Sequence, residues 1–255
     1  MAASDLDVAV EGEGRPLLLV HSLLSDRTAY RPIADRIARR RKLILVNLPG
    51  FGASPPDGAS TLQDHAGALA RVFDELSLPA ETDIMGNGLG GFVALTFAVD
   101  HGKRFGRLLL VGSGLAFPEV GRTTFRGLAD KVDSDGIAAV AGPAIRRMFP
   151  EDFIAANPEI VTDRVAVLAT IDPRVFAAAC RALAALDLAP VLPSIMNRTL
   201  VATGEYDGAT PPALGRALAA RLPHGEFMEL AGLGHAPHLQ APDEFLAAVS
   251  GFLRL

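Results

Sequence analysis

Six short apolar runs recur along the chain with amphipathic segments between them, and this alternation constrains the fold more than any other feature. The runs fall at 17–20, 43–46, 82–85, 108–111, 200–202 and 227–230. They are too continuous for half-exposed strands and suit a parallel sheet covered on both faces. Between them, Leu62, Ala66, Leu69, Phe73 and Leu76 step at helical spacing behind Thr61 and Asp64, which stand at the N-cap and N3 positions of a capping box. Phe245, Leu246, Val249, Phe252 and Leu253 repeat the pattern behind Pro242. Strand, helix and strand in alternation predict an α/β fold: a mostly parallel sheet with helices on both faces, joined by crossover connections. The rhythm breaks once. From 114 to 193 no strand-like run occurs, and helix starts are expected at Ser134-Asp135, Asn157-Pro158 and Asp172-Pro173. These roughly 80 residues are expected to form an inserted helical cap (114–193) over a core of 1–113 and 194–255. The cap would cover the C-terminal edge of the strands, where open α/β sheets place their ligands.

Composition narrows the function. At 255 residues and 49% apolar content, a disordered or collagen-like chain is excluded. The net charge of −5 leaves no electrostatic footprint for nucleic acid, and no apolar run reaches the roughly 18 residues needed to span a bilayer. The single cysteine, Cys180, allows no intramolecular disulfide, supplies no multi-cysteine metal site, and falls on the buried-spacing stripe Phe176, Cys180, Leu183. Met1 to Gly14 lacks the basic and apolar regions of a secretory leader, so a cytoplasmic protein is expected. Arg36, Arg39, Arg40, Arg41 and Lys42 read as cations at a helix C-terminus, favoured by its dipole.

The chemistry concentrates around Gly86-Asn87-Gly88-Leu89-Gly90-Gly91, which follows a strand and opens a helix. As G-x-G-x-x-G it has the outline of a dinucleotide-binding turn. That turn normally lies in the first strand–helix unit and needs an acidic residue at the end of the next strand, where this chain has Val111-Gly112-Ser113-Gly114. As a nucleophile elbow, G-x-S-x-G, it keeps the flanking glycines but carries Gly88 where the serine belongs. The other members of a triad decide between the two. Asp207 leaves a strand 119 residues after position 88, and Gly234-His235 leaves the next strand 28 residues later, in the order nucleophile, acid, base. Upstream, His21-Ser22-Leu23-Leu24 stands where an oxyanion loop belongs, so the backbone N–H groups of Leu23 and Leu89 are the expected oxyanion donors.

Over essentially its whole length the chain resembles the α/β-hydrolase superfamily, through Leu48-Pro49-Gly50-Phe51-Gly52-Ala53-Ser54, Gly86 to Gly91, Asp207 and Gly234-His235. Its second half is similar to 3-oxoadipate enol-lactonases at Ile171-Asp172-Pro173, Phe176 to Leu183, Asp187-Leu188 and Asp207 to Pro212, whereas Asn87 resembles the elbow of carbon–carbon bond hydrolases. The resemblance implies that Asp207 fixes the tautomer of His235 and that His235 serves as general base and then acid. It also implies an ester, lactone or activated ketone as small-molecule substrate, with no cofactor and no metal. Three departures stand out: Ser22 where many members have glycine, Asn47 where aspartate is usual, and Gly88 itself. Three accounts of Gly88 stay open: an engineered serine-to-glycine change in an ordinary ester hydrolase, a natural enzyme whose His235–Asp207 dyad activates water or substrate directly, or a non-catalytic relative that binds a ligand.

His21, Ser22, Asn87, Ser113 and His238 are further candidates for substrate contact. Ser22, at the rim of the oxyanion loop, is most simply a structural hydroxyl, and Ser113 a small loop residue. His238 has a surface histidine as its plainer reading, and His65 and His101 lie on helical segments away from strand ends. Arg126, Arg146, Arg147 and Arg181 in the cap are available to a substrate carboxylate, or simply form solvated helix faces.

Overall fold

The computed structural model describes residues 6–255; residues 1–5, where the leader search began, lie outside the described residues. Every apolar run becomes a strand, and one strand is added. β1 (Val8–Glu11) is partly exposed and pairs antiparallel with β3 (Lys42–Val46) at the sheet edge, while β2 (Pro16–Val20) is fully buried and parallel to β3. Four residues with one exposed face carry too little apolar periodicity to stand out from sequence. Between β2 and β3 runs α1 (Arg31–Ala38). Then follow α2 (Leu62–Glu75), β4 (Asp83–Asn87), α3 (Leu89–His101) and β5 (Leu108–Val111). After a long helical stretch come β6 (Thr199–Gly204), α9 (Pro212–Arg221), β7 (Gly225–Leu230), the short α10 (Pro237–Gln240) and α11 (Pro242–Leu253). The seven strands lie in the order β1-β3-β2-β4-β5-β6-β7, all parallel except β1.

Successive strand residues point to opposite faces, and both faces are apolar. Leu18, Val20, Ile44 and Val46 pack with Leu69, Phe73, Val93 and Phe97 of α2 and α3. Leu17, Leu19, Leu43 and Leu45 pack with Ile33 and Ile37 of α1 and with Phe245, Val249 and Phe252 of α11. The capping box forms as predicted: Asp64 N–H donates to Thr61 Oγ1, and Thr61 N–H to Asp64 Oδ2.

Between β5 and β6 lie five helices: α4 (Glu119–Asp135), α5 (Ala138–Arg146), α6 (Glu151–Ala156), α7 (Glu159–Leu168) and α8 (Pro173–Ala185). Asp172 caps α8 as expected, accepting from Arg174 and Val175 N–H. Ser134-Asp135 does not start a helix; it ends α4, which stops at Gly136 with φ 79°. A glycine in the left-handed region just past a helix is a stop signal, and it outranks two residues that are common at either end. At Asn157-Pro158 the side-chain cap is absent, because the Asn157 amide donates back to Phe153 C=O at the end of α6.

The basic run also divides. Arg41 is not a solvated helix-end cation. It is buried beneath the sheet, donating to the Arg15 and Pro16 carbonyls and to Asp83 Oδ2 at 3.0 Å, with a further contact to Leu253 C=O. Asp83 opens β4 in a fully buried position and is also gripped by Arg15. The reason is charge pairing: a buried carboxylate needs cations within reach.

Candidate active site

The turn from β4 to α3 is set by close packing. A Cβ on Gly86 would overlap Gly90 C=O, one on Gly90 would overlap Val20 C=O on the neighbouring strand, and one on Gly91 would overlap Ser113 Oγ. At the apex, Gly88 has φ 50° and ψ −117°, a combination that L side chains rarely adopt. Its carbonyl accepts from Gly91 and Phe92 N–H, so position 88 is the N-cap of α3. The N–H of Leu89, first in the helix, has no intrahelical acceptor and sits at the positive end of the helix dipole.

Asp207, on the loop leaving β6, is buried and saturated. Oδ1 accepts from Ala209 N–H (2.9 Å) and Thr210 N–H (2.7 Å), and Oδ2 from Thr210 Oγ1–H (2.8 Å). The remaining partner of Oδ2 is His235 Nδ1, at 2.8 Å. A carboxylate only accepts, so the proton sits on Nδ1 and Nε2 keeps a lone pair. The ring is held from several sides. His235 N–H donates to Met148 C=O (2.7 Å), its carbonyl accepts from Asn87 Nδ2 (2.9 Å), and Gly112, with φ 59°, leaves the space beside Nδ1 that a Cβ would take. Nε2 faces Gly88 and Ser22, whose Oγ lies 3.4 Å away.

A pocket opens over this group. Ser22, Leu23, Gly88, Leu89 and His235 form its floor; Phe92, Phe117, Phe125, Leu128, Met148 and Leu183 form its walls, with exposed Arg147 at the mouth. The dinucleotide reading finds no support, because Ser22 and His235 fill the space above the apex of the turn.

The alpha/beta hydrolase family profile matches residues 17–248. The chain belongs to the alpha/beta hydrolase family. It is 25% identical to 3-oxoadipate enol-lactonase 1 of Acinetobacter baylyi, over 98% of this chain and 93% of that one. To the pimeloyl-[acyl-carrier protein] methyl ester esterase of Aeromonas hydrophila it is 29% identical, over 97% of this chain and 100% of the other. Among solved structures it superposes on the enol-lactonase of Burkholderia xenovorans LB400 with a TM-score of 0.92 and 25% identity, over 100% and 99% of the two chains. The protein is thus a hydrolase-type enzyme.

Of the residues picked out from sequence, the fold of this hydrolase brings Gly88, Asp207, His235, Leu23, Leu89 and Ser22 together at one pocket. Four others turn away from it. His21 is buried behind the loop: Nδ1 donates to Ser22 C=O, Nε2 accepts from Leu48 N–H, and burial pushes its pKa down to about 4, so it stays neutral. Asn87 bonds the Val111 and His235 carbonyls and so ties β5 to the histidine loop. Ser113 lies buried beneath Gly91, its hydroxyl without a hydrogen-bond partner. His238 is neither a substrate contact nor a surface residue. Its ring stacks on Tyr30 at 4.8 Å, and burial pushes its pKa down to about 3.

In the helical stretch, Arg126 and Arg181 are exposed and paired with Glu119 and with Asp130 and Asp133, and Arg146 is exposed. Cys180 is buried, its thiol pushed up to about 12. Asn47, in place of the usual aspartate, accepts from Arg27 N–H and donates to Asp7 Oδ2. Thr210 and Met148 escaped sequence reasoning. Thr210 lies three residues past the predicted acid in a turn that such acids commonly organise, a legible signal; Met148 C=O acts through its backbone, which no side-chain pattern reveals.

Proposed function

We propose that this hydrolase cleaves small esters or lactones with an apolar body, using His235 as general base and then acid, held by Asp207. The buried Asp207–His235 pair, with a bare Nε2 directed into an apolar pocket, carries the reading. His235 takes the proton of the attacking O–H, becomes an imidazolium stabilised by Asp207, and returns the proton to the leaving oxygen. The N–H groups of Leu23 and Leu89 are the donors for the oxyanion that develops on the carbonyl. Residues 114–193 serve as the cap: their phenylalanine and leucine side chains exclude water from the acyl group, and Arg147 offers one cation to a substrate with a carboxylate tail. The enol-lactonase and methyl ester esterase relatives support this substrate class. No group acting as nucleophile from position 88 is part of the scheme.

The test is turnover of 4-nitrophenyl esters and small lactones. His235→Ala is expected to lower kcat/KM by about 10²–10⁴, and Asp207→Asn by a comparable factor. Turnover unchanged in a folded His235→Ala variant would sink the proposal.

A further inference from the structure

We infer that Ser22 is the nucleophile, standing on the loop after β2 in place of the missing side chain on the elbow. The inference rests on the reading of His235 and Asp207 given above. Strands β2 and β4 are neighbours with Val20 opposite Gly86, so the residues just beyond them, Ser22 and Gly88, face each other across the strand ends. A Cβ built on Gly88 would overlap Ser22 Oγ, lie 2.8 Å from His235 Nε2 and lie 3.2 Å from Ser22 Cβ. The Ser22 hydroxyl therefore fills the volume that a side chain at 88 would use. Glycine at 88 and serine at 22 form one arrangement, since an inward side chain at either position excludes the other.

Three observations give this hydroxyl a chemical role. Its Oγ is 3.4 Å from Nε2 of the histidine whose Nδ1 is held by Asp207, and catalytic hydrogen bonds are often long before substrate binds. Ser22 is buried yet lines the same pocket as Gly88, Leu89 and His235. Its backbone is fixed by neutral His21, which donates to Ser22 C=O and accepts from Leu48 N–H. In the step, Ser22 Oγ bonds to the carbonyl carbon as its proton passes to His235 Nε2, and the oxyanion accepts from Leu89 N–H at the start of α3. The bond to the leaving oxygen then breaks, and that oxygen takes the proton from His235. Water, deprotonated by His235, attacks the acyl-Ser22 carbonyl, which releases the acid and restores the hydroxyl.

The experiment treats the full chain and its Ser22→Ala, Ser22→Cys and His235→Ala variants with diethyl 4-nitrophenyl phosphate, then maps adducts by peptide mass spectrometry. The expected result is a single diethylphosphoryl group on the peptide carrying Ser22. Labelling should be lost in Ser22→Ala, whose ester turnover should fall by about 100-fold or more at unchanged melting temperature. In Ser22→Cys, iodoacetamide should alkylate the introduced thiol rapidly while buried Cys180 stays silent, and adding His235→Ala should slow that reaction. An adduct on any other residue overturns the assignment. Wild-type turnover in Ser22→Ala alongside loss in His235→Ala overturns it too, while leaving the general base in place; wild-type turnover in both variants overturns the proposed function instead.

Discussion

Adding one methyl group at Gly88 or at Gly90 tests the packing of the turn, because the two positions differ in what the methyl meets. At Gly88 the new Cβ meets the end of a rotatable side chain, Ser22 Oγ, and sits on backbone with φ 50°. The strained backbone costs roughly 1–3 kcal/mol for a residue with a Cβ. Turning Ser22 away from His235 forfeits about 1 kcal/mol of hydrogen bonding, and reduced freedom of the unfolded chain returns roughly 0.4–1 kcal/mol. Gly88→Ala should therefore destabilise by about 1–3 kcal/mol, a fall in melting temperature of roughly 2–4 °C per kcal/mol for a chain of this size. At Gly90 the backbone is ordinary, but the Cβ meets Val20 C=O and lies 2.6 Å from His21 C=O, both main chain of a central strand. Neither atom moves without displacing β2, so Gly90→Ala should cost about 4 kcal/mol or more, or prevent folding. Urea unfolding followed by circular dichroism gives both numbers, provided the slope m is unchanged. Gly88→Ala at wild-type stability, or Gly90→Ala as the milder change, would refute the argument.

Stability should also fall with acid before the carboxylates titrate. His21 and His65 are pushed to about 4 and His238 to about 3, chiefly by burial, so the unfolded chain with histidines near 6.5 binds more protons in between. Their contribution is complete above about pH 6.5 and is lost as pH falls toward about 4, on the order of 2 kcal/mol each by about pH 5. An unchanged urea midpoint between about pH 7.5 and pH 5 would contradict this. Arg41→Met leaves the Pro16 carbonyl without its Arg41 donor and strips one cation from buried Asp83, so a loss of about 3–5 kcal/mol is expected in chemical denaturation. A cost under about 1 kcal/mol would mean that Arg15 alone satisfies Asp83. Finally, the Cys180 thiol, buried and pushed up to about 12, should react with a disulfide reagent only after denaturant is added. Rapid reaction of the native protein would show that α8 opens.

What was legible in the sequence was legible for local reasons. Apolar runs too continuous for half-exposed strands forced buried parallel strands, Thr61 and Asp64 sit three apart because a capping box needs that spacing, and Asp172-Pro173 starts α8 for the same kind of reason. The order of the glycine turn, Asp207 and His235 led to the pocket floor because each follows a strand end in a parallel sheet, and those ends share one edge. Features that depend on packing between distant segments were not legible. Arg41 looks like its basic neighbours until Asp83 is brought beneath the sheet, and His238 looks like a loop residue until α10 turns its ring onto Tyr30.

Ser22 is the sharpest case. In sequence it is a small polar residue after a strand, 66 positions before the glycine that lacks a side chain, and nothing links the two. The link is the pairing of β2 with β4, which sets the ends of both strands side by side, so that a hydroxyl on one loop enters the volume vacated on the other. A motif read along one segment records only which side chain that segment carries. The chemistry instead depends on which atom stands next to Nε2 of His235, and in this fold either of two adjacent strand ends can supply it. The absence of serine from the elbow is therefore compatible with a complete acid–base–hydroxyl set, because the sheet offers a second route to the same point in space.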